Sequence, residues 1–151
     1  MKIGILSDTH DNVWAIDKAI EVFRKYKVEY IFHAGDWVAP FSLVRLARSG
    51  INIVGVLGNN ECEKRLMFKK AREHSNVELE EQFMEKELEG VKIALYHGTS
   101  LKLVEALVKS KLYNIVIYGH THKPEIRKAE DVLVVNPGEA SGVLTGKRTV
   151  A

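Results

Sequence analysis

The sequence has only one cysteine and no long apolar run, and both scarcities restrict the class of protein. Cys62 cannot form a disulfide within the chain, which favours a reducing compartment such as the cytoplasm. No stretch approaches the roughly 18 apolar residues that a membrane span needs, and the first residues lack the pattern of a signal peptide. We therefore predict a cytoplasmic protein with no membrane segment.

An excess of charge of one sign is also missing. Lys and Arg together number 22 and Asp and Glu together number 20, which gives a net charge of +2. Because this balance creates no strongly basic surface, the sequence offers no electrostatic case for binding nucleic acid or an anionic membrane. With 151 residues, of which 46% are hydrophobic, the chain fits a single domain over residues 1–151.

Aspartate is scarce as well, at five residues against fifteen glutamates. Two of the five, Asp8 and Asp36, come soon after apolar runs that are predicted strands. Since Asp is the compact acidic residue that suits tight turns and metal sites, this placement favours a functional site. For Asp8 and His10 a solvated turn remains the alternative. In an extended backbone these two side chains would point to the same face and could close on one ion.

The first 60 residues alternate predicted strands and helices. Strands are predicted at about residues 2–7, Val28–His33 and Asn52–Leu57, and helices at about Val13–Tyr26 and Pro40–Ser49. Apolar strands that alternate with helices are typical of parallel pairing with right-handed crossovers. Because parallel strands end at one edge of a sheet, the glycine-containing loops that follow them should open together.

The second half of the chain predicts antiparallel strands as well as helices. Helices are predicted at about Glu63–His74 and after Ser100, and strands at Phe83–Leu88, Val91–Tyr96, Ile115–Tyr118, Ile126–Ala129 and Val132–Asn136. The Glu89-Gly90 pair predicts a hairpin between the first two of these strands. We interpret the stretch from Glu78 to Glu89 as a solvated hairpin face, whose edge could serve a homodimer.

Seven side chains that can bind metal follow the predicted strands: Asp8, His10, Asp36, Asn59, His97, His120 and His122. Oxygen and imidazole donors without thiolate suit Mn²⁺, our first expectation, or Fe²⁺, Ni²⁺ or Zn²⁺. Seven donors exceed the four of one tetrahedral zinc, whereas two ions that share a bridging carboxylate would use them all. Such a pair catalyses in-line displacement at phosphorus, and a hydroxide held between the ions would be the nucleophile.

Several neighbouring residues have simpler interpretations. Glycines stand beside predicted metal ligands at positions 35, 58, 98 and 119, where they would relieve tight turns and allow close backbone approach. His33 is predicted to be a buried, hydrogen-bonded histidine, and Cys62 a spectator thiol. We expect Trp14 to pack in the core, and Trp37 either to do the same or to line a substrate cleft.

Taken in order, these motifs resemble those of a known family. Asp8-x-His10, Gly35-Asp36, Gly58-Asn59, His97-Gly98 and Gly119-His120-x-His122 are similar to the signature of the calcineurin-like metallophosphoesterase superfamily. The chain resembles its short, single-domain archaeal and bacterial phosphodiesterase branch, including that branch's closing turn at Asn136-Pro137-Gly138-Glu139. The resemblance implies an α/β sandwich of two stacked mixed sheets flanked by helices. It also implies a small phosphodiester as substrate.

The resemblance further implies a role for each predicted ligand. One ion would be held by Asp8, His10, Asp36 and His122, and the other by Asp36, Asn59, His97 and His120, with Asp36 bridging the two. Asn59 and Asn60 are then the candidate catalytic residues beside the substrate.

Asn60 marks a departure from much of the family. Many members have a histidine at this point, which is thought to contact the phosphate and protonate the leaving oxygen, although the short branch also lacks it. An amide cannot act as an acid at pH 7, so Asn60 could only donate hydrogen bonds. The resemblance therefore implies a phosphodiesterase, with a non-catalytic metal-binding scaffold of the same fold, like the retromer subunit, as the alternative.

Overall fold

Two β-sheets stacked face to face form the centre of the protein in a computed structural model that describes residues 1–151. The strands are β1 (Ile3–Leu6), β2 (Tyr30–His33), β3 (Asn52–Val56), β4 (Val77–Glu80), β5 (Phe83–Leu88), β6 (Val91–Tyr96), β7 (Ile115–Ile117), β8 (Pro124–Ala129) and β9 (Val132–Pro137). The helices are α1 (Val13–Lys25), α2 (Pro40–Ala47), α3 (Lys64–Arg72) and α4 (Leu101–Ser110). None of these helices is long and apolar enough to span a bilayer.

The first sheet has the order β1-β2-β3-β4 and is parallel throughout. The second has the order β5-β6-β7-β9-β8, with antiparallel pairs at its two edges and parallel pairs in its middle. The α/β sandwich flanked by helices is therefore confirmed. In detail, only the second sheet is mixed, because helices connect every pair of neighbouring strands in the first.

The strand sequences explain this layering. Ile5, Phe32 and Val54 point between the sheets, where they meet side chains such as Ile93 and Ile117 of the second sheet. Residues next to them in the strands point the other way and are covered by α1, α2 and α3. Helix α4 covers the outer face of the second sheet. Because both faces of the inner strands are buried, these strands appear in the sequence as continuous apolar runs.

The expectation of core packing is confirmed for Trp37 but not for Trp14. Trp37 is fully buried, and its indole N–H donates to the carbonyl of Val56 at 2.9 Å. Trp14, in the first turn of α1, is 75% exposed. The prediction that Trp14 packs in the core is wrong, because the apolar face of α1 is formed by residues such as Ile16 and Phe23.

Strand β4 is absent from the sequence-based prediction. Glu78 and Glu80 belong to this edge strand, which pairs in parallel with β3, so they are not part of a solvated hairpin face. Only Val77 and Leu79 give the strand an apolar side, and both pack against the layer of helices. A homodimer through this edge stays a prediction.

Candidate metal centre

The loops that follow the strands meet at one end of the sandwich, as their common edge predicts. The amide of Asp8 donates to the carbonyl of Gly35 at 3.0 Å, which joins the loops after β1 and β2. The amide of Gly119 donates to the carbonyl of His97 at 2.8 Å, which joins the loops after β6 and β7. Backbone hydrogen bonds therefore position the predicted ligands relative to one another.

Four of these residues form a compact group. Asp8, His10, Asp36 and His122 each offer one ligand atom, and these atoms all lie within 4.8 Å of one another. His122 Nε2 lies 3.1 Å from Asp8 Oδ1, and His10 Nε2 lies 3.6 Å from Asp36 Oδ2. Asp8 Oδ1 and His10 Nε2 are buried without a hydrogen-bond partner. Because an orphaned buried acceptor is costly, this donor set fits a divalent cation.

A second group lies on the other side of Asp36. His97 Nε2 is 2.9 Å from Asn59 Oδ1 and 3.3 Å from Asp36 Oδ1. The ring of His120 stands edge-on to that of His97, with 5.1 Å between the centroids. One oxygen of Asp36 thus faces each group. All seven predicted ligands lie at this end of the sandwich, and their division between two ions stays a prediction.

The partners of two histidines determine which ring nitrogen is free. His97 Nδ1 lies 2.6 Å from the carbonyl of Ala34, which can only accept, so Nδ1 carries the proton. His122 Nδ1 lies 2.6 Å from Glu139 Oε2 and donates to it in the same way. The Nε2 lone pair of each ring therefore points at carboxylate or amide oxygens. Lone pairs that face lone pairs need a cation between them.

The backbone is left-handed at five of the seven candidate ligands. The φ angles are 54° at Asp8, 42° at His10, 58° at Asp36, 63° at His120 and 59° at His122. The expectation that Asp8 and His10 converge from an extended strand is wrong, because β1 ends at Leu6 and both residues have left-handed φ angles. Left-handed conformations of non-glycine residues cost free energy and cluster at functional sites.

Two of these glycines leave no room for a side chain. A Cβ added to Gly58 would lie 2.0 Å from Asp36 Oδ1. A Cβ added to Gly119 would lie 1.9 Å from Ser7 Oγ and 2.8 Å from Asp8 Oδ2. Both contacts are with side chains packed at the site, so any larger residue would displace the carboxylates.

His33 links the loops after β1 and β2, and its buried, hydrogen-bonded state is confirmed. The amide of Gly35 donates to Nδ1 at 3.1 Å, so Nε2 carries the proton that it shares with Thr9 Oγ1, 3.1 Å away. The hydroxyl of Thr9 in turn lies 3.5 Å from the carbonyl of Asp36. Burial lowers the pKa of His33 well below its usual value, which keeps the ring neutral.

Burial also shifts the pKa of two candidate ligands, Asp8 and His120. Burial raises the pKa of the Asp8 carboxyl, and the negative charge of the nearby Asp36 carboxylate raises it further. Burial lowers the pKa of His120, with a further contribution from His97. A neutral imidazole is the form that binds metal, whereas two adjacent buried carboxylates are stable as anions only with a compensating cation.

Asn60 and Glu61 occupy the loop after β3. The side-chain amide of Asn60 donates to Asp36 Oδ2 at 2.7 Å, and its backbone amide donates to Asp36 Oδ1 at 3.0 Å. The Glu61 carboxylate accepts from three backbone amides, at 3.1, 2.7 and 2.8 Å, those of Trp37, Val38 and Gly58. Glu61 therefore holds the loops after β2 and β3 together, and Asn60 sits over the shared carboxylate.

Glu139 is a site residue whose role is not evident from the sequence, although it ends the closing turn Asn136-Pro137-Gly138-Glu139. It is fully buried, and besides His122 it accepts hydrogen bonds from the amides of Leu144 and Thr145 and from the Thr145 hydroxyl. Burial alone would raise the pKa of Glu139, but these hydrogen bonds outweigh it and lower the pKa to about 2. The carboxylate is thus anionic and orients the His122 ring.

We expect Glu139→Gln to weaken metal binding about 10–100-fold, the usual effect of removing the partner that orients a metal-binding histidine. The neutral amide could turn its NH₂ toward His122 and so favour the wrong tautomer. Calorimetric titration of metal-free protein with Mn²⁺ measures the affinity. The exposed Glu130 provides a matched control, because Glu130→Gln should leave the affinity unchanged. Equal affinities in the two variants would contradict this role.

A cleft of about 660 Å³ opens above the site. It is lined by His10, Val38, Asn59, Asn60, Glu61, Cys62, His122, Val143 and Leu144. Candidate ligands of both groups reach it, so a molecule in the cleft would contact the metal centre directly. Asn60 and the exposed Cys62 also face this space.

Comparisons with known proteins agree with this geometry. The profile of the calcineurin-like phosphoesterase superfamily domain matches residues 1–151. The chain is 39% identical to a phosphodiesterase of Methanocaldococcus jannaschii over 99% of its own length and 90% of the relative's. It superimposes on a solved archaeal phosphodiesterase with a TM-score of 0.94 at 39% identity, covering 99% of this chain and 91% of that one.

A more distant likeness concerns the fold alone. Vacuolar Protein Sorting 29 from Cryptosporidium parvum superimposes with a TM-score of 0.70 at 20% identity, over 93% of this chain and 75% of that one. With a family profile that matches its whole length and a relative of 39% identity, the chain belongs to the calcineurin-like phosphoesterase superfamily.

Proposed function

We propose that this protein is a phosphodiesterase that hydrolyses small phosphodiesters with two divalent ions, Mn²⁺ first among them. One observation carries the proposal: the buried carboxylate of Asp36 faces histidine Nε2 atoms on both sides, in His10 and in His97. A single shared anion between two donor groups suits a pair of ions. The high similarity to archaeal phosphodiesterases supports the choice of diesters.

The seven candidate ligands would divide between the two ions. Asp8, His10 and His122 would hold one ion, Asn59, His97 and His120 the other, and Asp36 both. When bound, such a pair supplies a hydroxide nucleophile near neutral pH and Lewis-acid stabilisation of the phosphoryl oxygens. Asn60 lines the cleft and presents amide N–H groups that can donate to a phosphoryl oxygen. Neither Asn59 nor Asn60 can protonate the leaving group.

A protein-binding scaffold that holds no metal would not need this arrangement, whereas a metal-binding scaffold would differ from the enzyme only in lacking turnover. Two ring tautomers are fixed so that Nε2 lone pairs point into the site, and buried polar atoms there lack partners. Such groups reduce stability unless an ion binds them, because buried polar atoms without partners are costly. A functional metal site therefore accounts for these residues better than a surface that only binds proteins.

We expect the protein to bind about two Mn²⁺ per chain and to hydrolyse bis(p-nitrophenyl) phosphate only when loaded. Chelation should abolish turnover and lower the melting temperature by about 10–20 °C, because two ions, each present at about 100 times its dissociation constant, together add about 5 kcal/mol to the free energy of unfolding. Elemental analysis, a colorimetric assay and calorimetric melting measure these quantities, and Mn²⁺ added back should restore activity.

Each negative result would contradict a different part of the proposal. One ion per chain with full turnover would contradict the binuclear site. Two ions without turnover of any diester would favour the scaffold, and no effect of chelation on either quantity would contradict a metal site altogether.

A further inference from the structure

One wall of the cleft above the metal centre is apolar. Val38, Val143 and Leu144 line it alongside His10 and His122. Val143 and Leu144 are 65% and 74% exposed, so their side chains face open space. Apolar side chains that stand exposed beside a polar centre are suited to receive an apolar part of a ligand.

This wall is held in place by the site itself. The amide of Leu144 donates to both oxygens of Glu139 at 3.1 Å, and the same carboxylate accepts from His122 at 2.6 Å. The loop that carries Val143 and Leu144 is thus fixed to a candidate metal ligand through one buried anion. The two apolar side chains therefore keep a defined position relative to the metal centre.

Backbone hydrogen bonds also hold Val38, the third apolar residue of the wall, in place. Val38 has a φ of 78°, which is an outlier for a β-branched residue. Its amide donates to Glu61 Oε2 at 2.7 Å, and its carbonyl accepts from the amide of Cys62 at 2.9 Å. Strained residues of this kind persist where surrounding contacts over-determine them, often at ligand-binding positions. Here the strain places Val38 at the cleft.

The charge of the cleft complements this apolar wall. Apart from the candidate ligands, the one charged side chain that lines the cleft is the anionic Glu61, and the rest are neutral. A second phosphate on a substrate would find no cationic side chain among the residues of the lining. An uncharged aryl or alkyl group would instead meet Val38, Val143 and Leu144.

We propose that Val38, Val143 and Leu144 form a subsite for an uncharged, apolar substituent of the phosphodiester. The inference rests on the proposed function, because the metal centre must hold the diester phosphate beside the wall. The subsite selects diesters with aryl or larger alkyl groups over dimethyl-type diesters and over polyphosphates. Specificity thus lies in the loops after β2 and β9, beyond the predicted ligands.

Two phosphodiesters of equal charge test this subsite by binding alone, because the poor leaving groups of both make turnover slow. Diphenyl phosphate and dimethyl phosphate share the same anionic group and differ in apolar area. Calorimetry on Mn²⁺-loaded protein should give about tenfold tighter binding of diphenyl phosphate, the effect of burying roughly 55 Å² of apolar surface. Leu144→Gln should reduce this preference to about threefold and leave the affinity for dimethyl phosphate unchanged.

Leu112 provides the matched control. It is 66% exposed and lines a different groove, so Leu112→Gln makes the same chemical change away from the metal cleft. This variant should keep the tenfold preference. An equal preference in both variants, or an equal loss of affinity for both diesters in Leu144→Gln, would overturn the subsite.

Turnover separates the subsite from the function on which it rests. A tenfold preference in binding, without hydrolysis of any diester, would contradict the proposed activity and leave the subsite standing as a ligand site. If diesters are hydrolysed but diphenyl and dimethyl phosphate bind with equal affinity, only the subsite would be overturned. If neither diphenyl phosphate nor dimethyl phosphate bound, the subsite would also be contradicted.

Discussion

Replacing Asp36 by asparagine is expected to reduce diester hydrolysis by about 10³-fold or more, since the charge stabilisation at such sites is worth several kcal/mol. Asp36 is the one carboxylate whose oxygens face both donor groups, at 3.6 Å from His10 Nε2 and 3.3 Å from His97 Nε2. An amide has the same size but only one oxygen to offer. Bound Mn²⁺ should therefore fall below two ions per chain, with both positions weakened.

In the metal-free protein, the same variant should not lower stability and could raise it. Asp8 and Asp36 are buried close together, and the removal of one negative charge relieves their repulsion. In the presence of chelator, Asp36→Asn should melt at the same temperature as the parent protein or higher. Loss of activity together with retained stability is typical of residues kept for function.

Asp17→Asn is the control for this experiment. Asp17 forms an ion pair with Arg45 on the surface of the helical layer and should affect neither activity nor metal content. Elemental analysis, the colorimetric assay and melting in chelator give the three readouts. If Asp36→Asn still held two ions, Asp36 would not be the bridging ligand.

Much of the candidate metal centre could be predicted because its residues follow apolar strands. Runs such as Ile53–Val56 are buried on both faces, so their ends are visible in the sequence, and polar residues placed there stand out. Topology then brings separate strand ends to one edge. Asp8, Asp36 and His97 needed no more information than this to be found.

The parts that could not be predicted depend on tertiary contacts. Strand β4 reads Val-Glu-Leu-Glu, and its two apolar residues become meaningful only when helix α3 covers them. The left-handed backbone of His10 and His122 has no local sequence signal, because glycine does not mark it. Trp37 owes its burial to a stack on His33, with 3.4 Å between the ring centroids, and to the helices around it.

Glu139 illustrates a different limit. Its motif was visible in the sequence, but its role follows from a histidine 17 residues away in the chain and from a loop that folds back onto the carboxylate. Hydrogen-bond partners of this kind depend on the fold. The residues that orient ligands are therefore harder to predict than the ligands themselves.

The last prediction concerns Asn60, which lies over Asp36 and lines the cleft. Since its amide cannot donate a proton, the leaving group must depart unaided by this residue, and rates should depend steeply on leaving-group pKa. Asn60→His places an imidazole there. A general acid typically contributes about 10²–10⁴-fold, so diesters of weakly acidic alcohols should gain about 10²-fold and p-nitrophenyl diesters little. Glu61 should not interfere, because its oxygens already accept three backbone amides.

A series of aryl phosphodiesters, measured at one Mn²⁺ concentration and one pH, gives the dependence of rate on leaving-group pKa for each protein. The slope for Asn60→His should be flatter than that of the parent protein. Asn60→Gln is the matched control, because it keeps an amide without adding an acid, and its slope should stay steep. Equal slopes in all three proteins would mean that residue 60 does not reach the leaving oxygen, although it contacts Asp36 in the resting structure.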